Sequence, residues 1–151
     1  MSFVVDIRDR LNAIMVATLP AYQKLPDNYQ TSDNPMPIAP KAYAIGFGAG
    51  ENITDEWCNL GKMRIRRQFQ AVMTNIYMPN LDADYRDGLE DALLDDQFAF
   101  IAAVEKDPTL TAMDVSSRYT TDNGLEYLID EEKQFIIIVM TLTVDYFEET
   151  A

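Results

Sequence analysis

The chain has 151 residues, enough for one domain with a core of its own. It carries 25 acidic and 12 basic side chains and no histidine, for a formal net charge of −13. That sign argues against a basic grip on nucleic acid and against binding an anionic membrane surface. The missing histidine removes His-based triads, His metal ligands and His proton shuttles.

The charge is unevenly spread. Residues 1–75 hold 7 acidic and 8 basic side chains, a balance of +1, and residues 76–151 hold 18 and 4, a balance of −14. The lone cysteine, Cys58, permits no internal disulfide and fits a reducing compartment. No basic stretch precedes an apolar one at the N-terminus, so no signal peptide is expected. The longest strictly apolar run, Phe135 to Met140, is too short to span a bilayer. The expectation is a soluble, acidic, intracellularly made single domain over residues 1–151.

Residues 3–18 predict an amphipathic helix, with Val4, Ile7, Leu11, Ile14, Met15 and Thr18 at three-to-four spacing and Pro20 as the stop. Residues 20–40 hold five of the seven prolines and read as a loop or an extended arm. Either it is a surface excursion or it orders against a neighbouring subunit.

Residues 41–49 predict a strand. Its Gly46-Phe47-Gly48-Ala49-Gly50 end lacks the Lys-Ser/Thr of a phosphate loop, and its glycines suit a bend or a close backbone approach. Residues 62–78 predict a long half-buried strand. Met63, Ile65, Phe69, Ala71 and Met73 share one face, interrupted by Arg67; Lys62, Arg64, Arg66, Gln68 and Gln70 share the other.

Residues 82–106 predict a helix capped by Asp82 or Asp84 and closed by Pro108. It bears one stripe of Tyr85, Leu89, Ala92 and Leu93 and a second, rotated stripe of Leu94, Phe98, Ile101 and Val104. Such a helix breaks near Asp95-Asp96 or is covered on two sides.

The last third predicts a three-strand meander. Met113–Thr120 is the first strand, Asn123-Gly124 a hairpin turn, Leu125–Ile129 the second strand, and Gln134–Phe147 a final strand after a turn at Asp130-Glu131-Glu132. The sum is an α+β fold. A mainly antiparallel sheet of about five strands is flanked by an N-terminal helix and a central acidic helix.

Chemistry is hard to place on these elements. Glu90, Asp91, Asp95 and Asp96 could pair for acid–base work, but a solvated acidic helix face explains them without a pocket. Asp82-x-Asp84 begins like a calcium loop, yet Arg86, Asp87 and Leu93 occupy positions that such a loop needs otherwise. Asp55 and Glu56 beside Cys58 favour an inert thiol. No catalytic residue, cofactor site or metal site is assigned, and the chain reads as a non-enzyme. Trp57 is either an interface anchor or a cap on the core.

Lys62-x-Arg64-x-Arg66-Arg67 concentrates a third of the basic side chains in six positions. It is a solvated face paired to acids on its own sheet, or a stripe that docks on an acidic surface. The helix with Asp84, Asp87, Glu90 and Asp91 offers such a surface. Stripe on helix, copy to copy, is a head-to-tail contact that can close a ring.

The order of elements resembles the tail terminator, or tail completion, proteins of long-tailed bacteriophages. The resemblance rests on the glycine-ended strand Ala42–Gly50, the acidic turn Glu51–Trp57, the alternating strand to Pro79 and the acidic helix from about Asp82. It continues through the polar Asp-Asn-Gly turn to the closing strand at Thr143–Phe147, so it covers about residues 3–148. It is one of pattern and size, and carries over no individual residue.

The resemblance implies a structural virion protein of the neck, a homo-oligomeric, hexameric ring. The ring would cap the tail tube, stop its polymerisation and join tail to head. Its partners would be the tail tube protein and a neck or head completion protein. It would be assembled in the host cytoplasm, with DNA passing through the lumen unread and no membrane involved. Other readings are a different neck or head–tail joining protein, and a small non-viral interaction domain that binds a partner through its sheet edge.

Overall fold

A computed structural model describes residues 3–25, 41–53, 61–76, 83–115, 117–129 and 134–149, with the side chains at 76, 83–87, 117, 127–129, 134–135 and 149 left aside. The expected helix forms over α1, Phe3–Thr18, and buries Ile7, Leu11, Ile14 and Met15. Each such side chain contributes about 1.5–3 kcal/mol of burial. The chain then turns into a two-residue strand, β1 (Gln23–Lys24), and continues through β2 (Lys41–Asn52) and β3 (Lys62–Ile76). Helices α2 (Ala83–Glu105) and α3 (Pro108–Ala112) precede β4 (Ser117–Ile129) and β5 (Gln134–Glu149).

The fold is α+β, with one five-stranded sheet in the order β1-β2-β3-β5-β4. The sheet is mixed: β1 runs parallel to β2, and the other three pairings are antiparallel. The parallel strand falls within the stretch expected to be all loop or arm, of which residues 26–40 lie outside the described residues.

The helices share one face of the sheet. Side chains of α1 and α2 join Tyr43, Ile45, Phe69, Met73, Ile138 and Met140 in the main core. The opposite face divides in two. Ala42, Ala44, Val72, Ile137 and Leu25 make a small apolar cluster near β1. Toward the start of β3 the same face is polar, with Gln68, Arg66 and Arg64 opposite Thr143, Asp145 and Phe147.

Three sequence expectations are corrected. Asn123-Gly124 makes no hairpin. Asp122 pairs with Met140 and Leu125 with Ile138, so two residues of one continuous strand oppose one of its partner. Gly124 takes φ +90° and its N–H donates to Asp122 Oδ1. The turn chemistry is spent on a bulge because β5 is long enough to pair along the whole of β4.

The strand expected from Met113 begins at Ser117, after α3. Pro108 opens α3 instead of merely closing α2: Asp107 is the N-cap, and its carboxylate accepts from the Leu110 N–H at 2.9 Å. Finally, α2 neither breaks at Asp95-Asp96 nor is covered on two sides. It runs on for 23 residues with Leu93, Phe100 and Val104 in the core, while Leu94 and Phe98 are exposed.

Arg67, the interruption in the apolar face of β3, also finds its reason. Its Nη1 donates to the Gly48 carbonyl at 3.2 Å, beside a register shift in β2 between Phe47 and Gly50. Gly50 leaves room for that guanidinium: a Cβ there would stand 2.3 Å from Arg67 Cζ.

Candidate assembly surface

Two surfaces carry the unusual side chains, and they lie on opposite sides of the sheet. The first is the polar half of the face on which none of the described helices packs. Strand alternation puts Lys62, Arg64 and Arg66 in a row on β3. Asp145 of β5 stands directly across from Arg66 and forms the floor. Arg66 Nε donates to Asp145 Oδ1 at 2.9 Å and Arg66 Nη2 to Oδ2 at 3.1 Å. Arg64 Nη2 reaches the same Oδ2 at 3.2 Å.

The Asp145 carboxyl is buried, and the hydrogen bond from Arg66 holds it below the usual carboxylate range against the opposing cost of burial. The same bond raises Arg66 above an already high guanidinium value. Glu51 of β2 is paired across from Arg66 on the other side. Tyr119 and Phe147, both exposed, flank the row.

Thus the cross-strand reading of the basic stripe holds for Arg64 and Arg66. Both engage an acid of their own sheet, while roughly two fifths of each side chain stays open to solvent, 36% and 42%. A charge reversal at either position would confront a buried carboxylate and unseat the strand, whatever its effect on a partner.

The second surface is the outer ridge of α2. Phe98 is 72% exposed and Leu94 38%. Asp91 and Asp95 are exposed around them and Glu90 is half-buried, with no basic residue from Gly88 to Glu105. The side chains of Asp84 and Asp87 and all of Trp57 and Cys58 lie outside the described residues. Within one chain the structure brings Lys62, Arg64 and Arg66 together, but not onto Glu90 and Asp91, which sit across the sheet from them.

Two further acids are structural. Asp107 receives Arg10 through both carboxylate oxygens, Nε to Oδ2 at 3.0 Å and Nη2 to Oδ1, tying α1 to the cap of α3. The bond from Arg10 holds Asp107 below the usual carboxylate range. Arg118 of β4 donates to the carbonyls of Val104 at 2.7 Å and Asp107 at 3.1 Å, which satisfies the end of α2. Asp96 accepts from the Tyr22 hydroxyl at 2.7 Å, and burial together with that bond pushes the phenol's pKa well up.

Sequence reasoning missed Asp145, Phe98 and Asp107. Asp107-Pro108 is a readable N-cap and first-turn signature. The Asp145 partnership needs the strand register, which no local pattern carries. A depression of about 430 Å³ opens beside Lys62 and Phe147, with Phe3, Asp6 and Met113 across it. Among the described residues no three His, Cys, Asp or Glu side chains are grouped to hold a metal, and no helix is long and apolar enough to cross a membrane. Comparison with protein-family models and with curated proteins found no match to this chain.

Proposed function

We propose that the chain is a structural assembly protein of a phage virion, a tail terminator whose copies form a ring at the end of the tail tube. The observation that carries this reading is two-sidedness. Among the described residues, helices cover one sheet face and present an acidic, partly apolar ridge, while the other face carries a row of three cations set among the acids Asp145, Glu51 and, in register with Lys62, Glu149. A subunit with unlike surfaces on opposite sides is suited to head-to-tail contact, which closes into a ring when the rotation permits. The sequence pattern over about residues 3–148 adds its resemblance to tail terminators, apart from the Asp-Asn-Gly turn, which lies at a bulge within β4.

In this role the ring, a hexamer by that resemblance, meets the tail tube protein on one side and a neck or head completion protein on the other. The acidic excess leaves passing DNA ungripped, because a lumen of like sign releases no counterions from phosphate. The protein then needs no catalytic residue and no cofactor. It resides at the tail–neck junction of the virion and is assembled in the host cytoplasm.

Electron microscopy of virions carrying a tagged copy tests the assignment. The tag is expected at the head-proximal end of the tail, and particles made without the chain should carry tails of uncontrolled length. A tag elsewhere, or normal tails without the chain, overturns it. One observation favours a second reading, an interaction domain that binds through its sheet edge. β4 is an edge strand, and along its 13 residues no other described strand pairs with its outer side.

A further inference from the structure

We infer that Asn123-Gly124, at the bulge of β4, is a site of covalent self-modification. There the Asn123 side chain closes on the Gly124 nitrogen and reopens as isoaspartate or aspartate. The inference stands on the bulge and is independent of the assembly reading. Asparagine is a labile residue, and its ring closure meets least steric resistance when glycine follows, because the attacking nitrogen then belongs to a residue with no side chain.

Three features of the bulge leave this pair open to the reaction. Asn123 and Gly124 are both exposed, and they are the two residues that the β4–β5 register passes over between Asp122 and Leu125. The Gly124 N–H donates to Asp122 Oδ1, an exposed carboxylate that can swing away from it. A Cβ placed on Gly124 would meet no atom within 4 Å, so a ring and an attacking water both have room.

The other asparagines among the described residues lack this combination. Asn12 lies inside α1 and precedes alanine. Asn52 precedes Ile53, whose N–H is held by the Arg64 carbonyl at 2.9 Å. Asn75 is buried in β3 opposite Ile136 and also precedes isoleucine.

In the step itself, the Gly124 nitrogen gives up its proton and attacks Cγ of Asn123. The N–Cγ bond forms and the Cγ–Nδ2 bond breaks. Nδ2 leaves as ammonia, taking the proton that Gly124 released, and a cyclic imide remains. Water then opens the imide. Breaking the bond to the main-chain carbonyl routes the backbone through Cγ and gives isoaspartate; breaking the bond to Cγ gives aspartate. Nothing is oxidised or reduced. Either product sets a new carboxylate beside Asp122, whose Oδ2 accepts from Gln97 of α2 at 3.1 Å.

The test holds the full folded chain at neutral pH and physiological temperature and follows its peptides by mass spectrometry. Labelling of the same peptides by an isoaspartate-specific methyltransferase is the second readout. The peptide spanning residue 123 is expected to lose its amide form, to gain the mass of NH2 replaced by OH, and to take the label. The peptides of Asn12, Asn52 and Asn75 should keep their amides over the same time. Asn123→Gln should abolish both signals at that peptide while the chain keeps a cooperative melt, because the longer side chain closes the ring poorly. Should that variant lose the melt, Asn123→Ser takes its place.

A chain unfolded in denaturant gives the rate of the same peptide without the fold. An Asn123 peptide still intact in the folded chain after its unfolded counterpart has converted overturns the inference. So does a peptide that takes the label equally when residue 123 is replaced.

Discussion

Arg66 and Asp145 stand opposite each other on neighbouring strands and meet edge to edge, Nε to Oδ1 at 2.9 Å and Nη2 to Oδ2 at 3.1 Å. The carboxylate is buried and also receives Arg64, so one acid anchors two cations at the rim of the sheet. Asp145→Asn keeps the shape and removes the charge. It should cost about 1.5–3 kcal/mol, the range for hydrogen bonds to charged groups. The urea midpoint should fall with little change in the slope of the transition. An unchanged midpoint would show that the pair contributes nothing.

Acid should expose the same bonds. Asp145 and Asp107 are both held below the ordinary carboxylate value in the folded chain, chiefly by the hydrogen bonds from Arg66 and Arg10. The unfolded chain therefore binds more protons below about pH 4, and stability present above that value is lost as pH falls through the folded values. Thermal midpoints should hold between neutral and mildly acidic pH and drop below about pH 4. Asp107→Asn should make that drop shallower; an equal drop in the variant counts against the argument.

Base should act through Tyr22. Its phenol is raised, by burial first and then by the bond to Asp96, so the folded chain keeps a proton that the unfolded chain gives up. Stability should decline above about pH 10, where an unfolded tyrosine ionises. Tyr22→Phe should remove that part of the decline, which alkaline melts would read directly.

Two neighbouring glycines should respond differently. A Cβ at Gly48 would stand 2.8 Å from the backbone oxygen of Gln68, which the sheet cannot move cheaply. A Cβ at Gly50 meets the Arg67 guanidinium, which can swing aside with the loss of one hydrogen bond to Gly48. Gly48→Ala should cost about 1–3 kcal/mol as overpacking. Gly50→Ala should cost about 1 kcal/mol or less. The reverse order in denaturant melts would contradict the geometry.

The bulge in β4 gives a test of topology. Gly124→Ala should cost about 1–2 kcal/mol, because an L-residue is strained in that left-handed region. Deleting Asn123 should be tolerated. One residue would then separate Asp122 from Leu125, and the partners Met140 and Ile138 would keep their places. A deletion variant that fails to fold would argue for a turn that needs both residues.

Local pattern was enough for much of this architecture. Ile7, Leu11, Ile14 and Met15 write a helix at 3.6-residue spacing, and Pro20 closes it. The alternation through β3 sorts core from polar side chains correctly, Arg67 included. Asn123-Gly124 misled because the same φ > 0 chemistry serves a hairpin and a bulge. Only the length of the facing strand decides between them. The second apolar stripe on α2 is covered only at Ile101 and Val104 and open at Leu94 and Phe98, because periodicity records which residues share a helix side, not how far along the helix a neighbour covers it.

The sequence by itself determined α1, α2, β2, β3 and β5 and the separation of charge between the two halves, since each follows from short-range spacing and composition. The tertiary structure alone decided that both helices lie on one face of the sheet, that β1 joins it in parallel, and that Asp145 lies beneath Arg64 and Arg66. Those depend on strand register and layer order, which join residues tens of positions apart and leave no periodic trace along the chain.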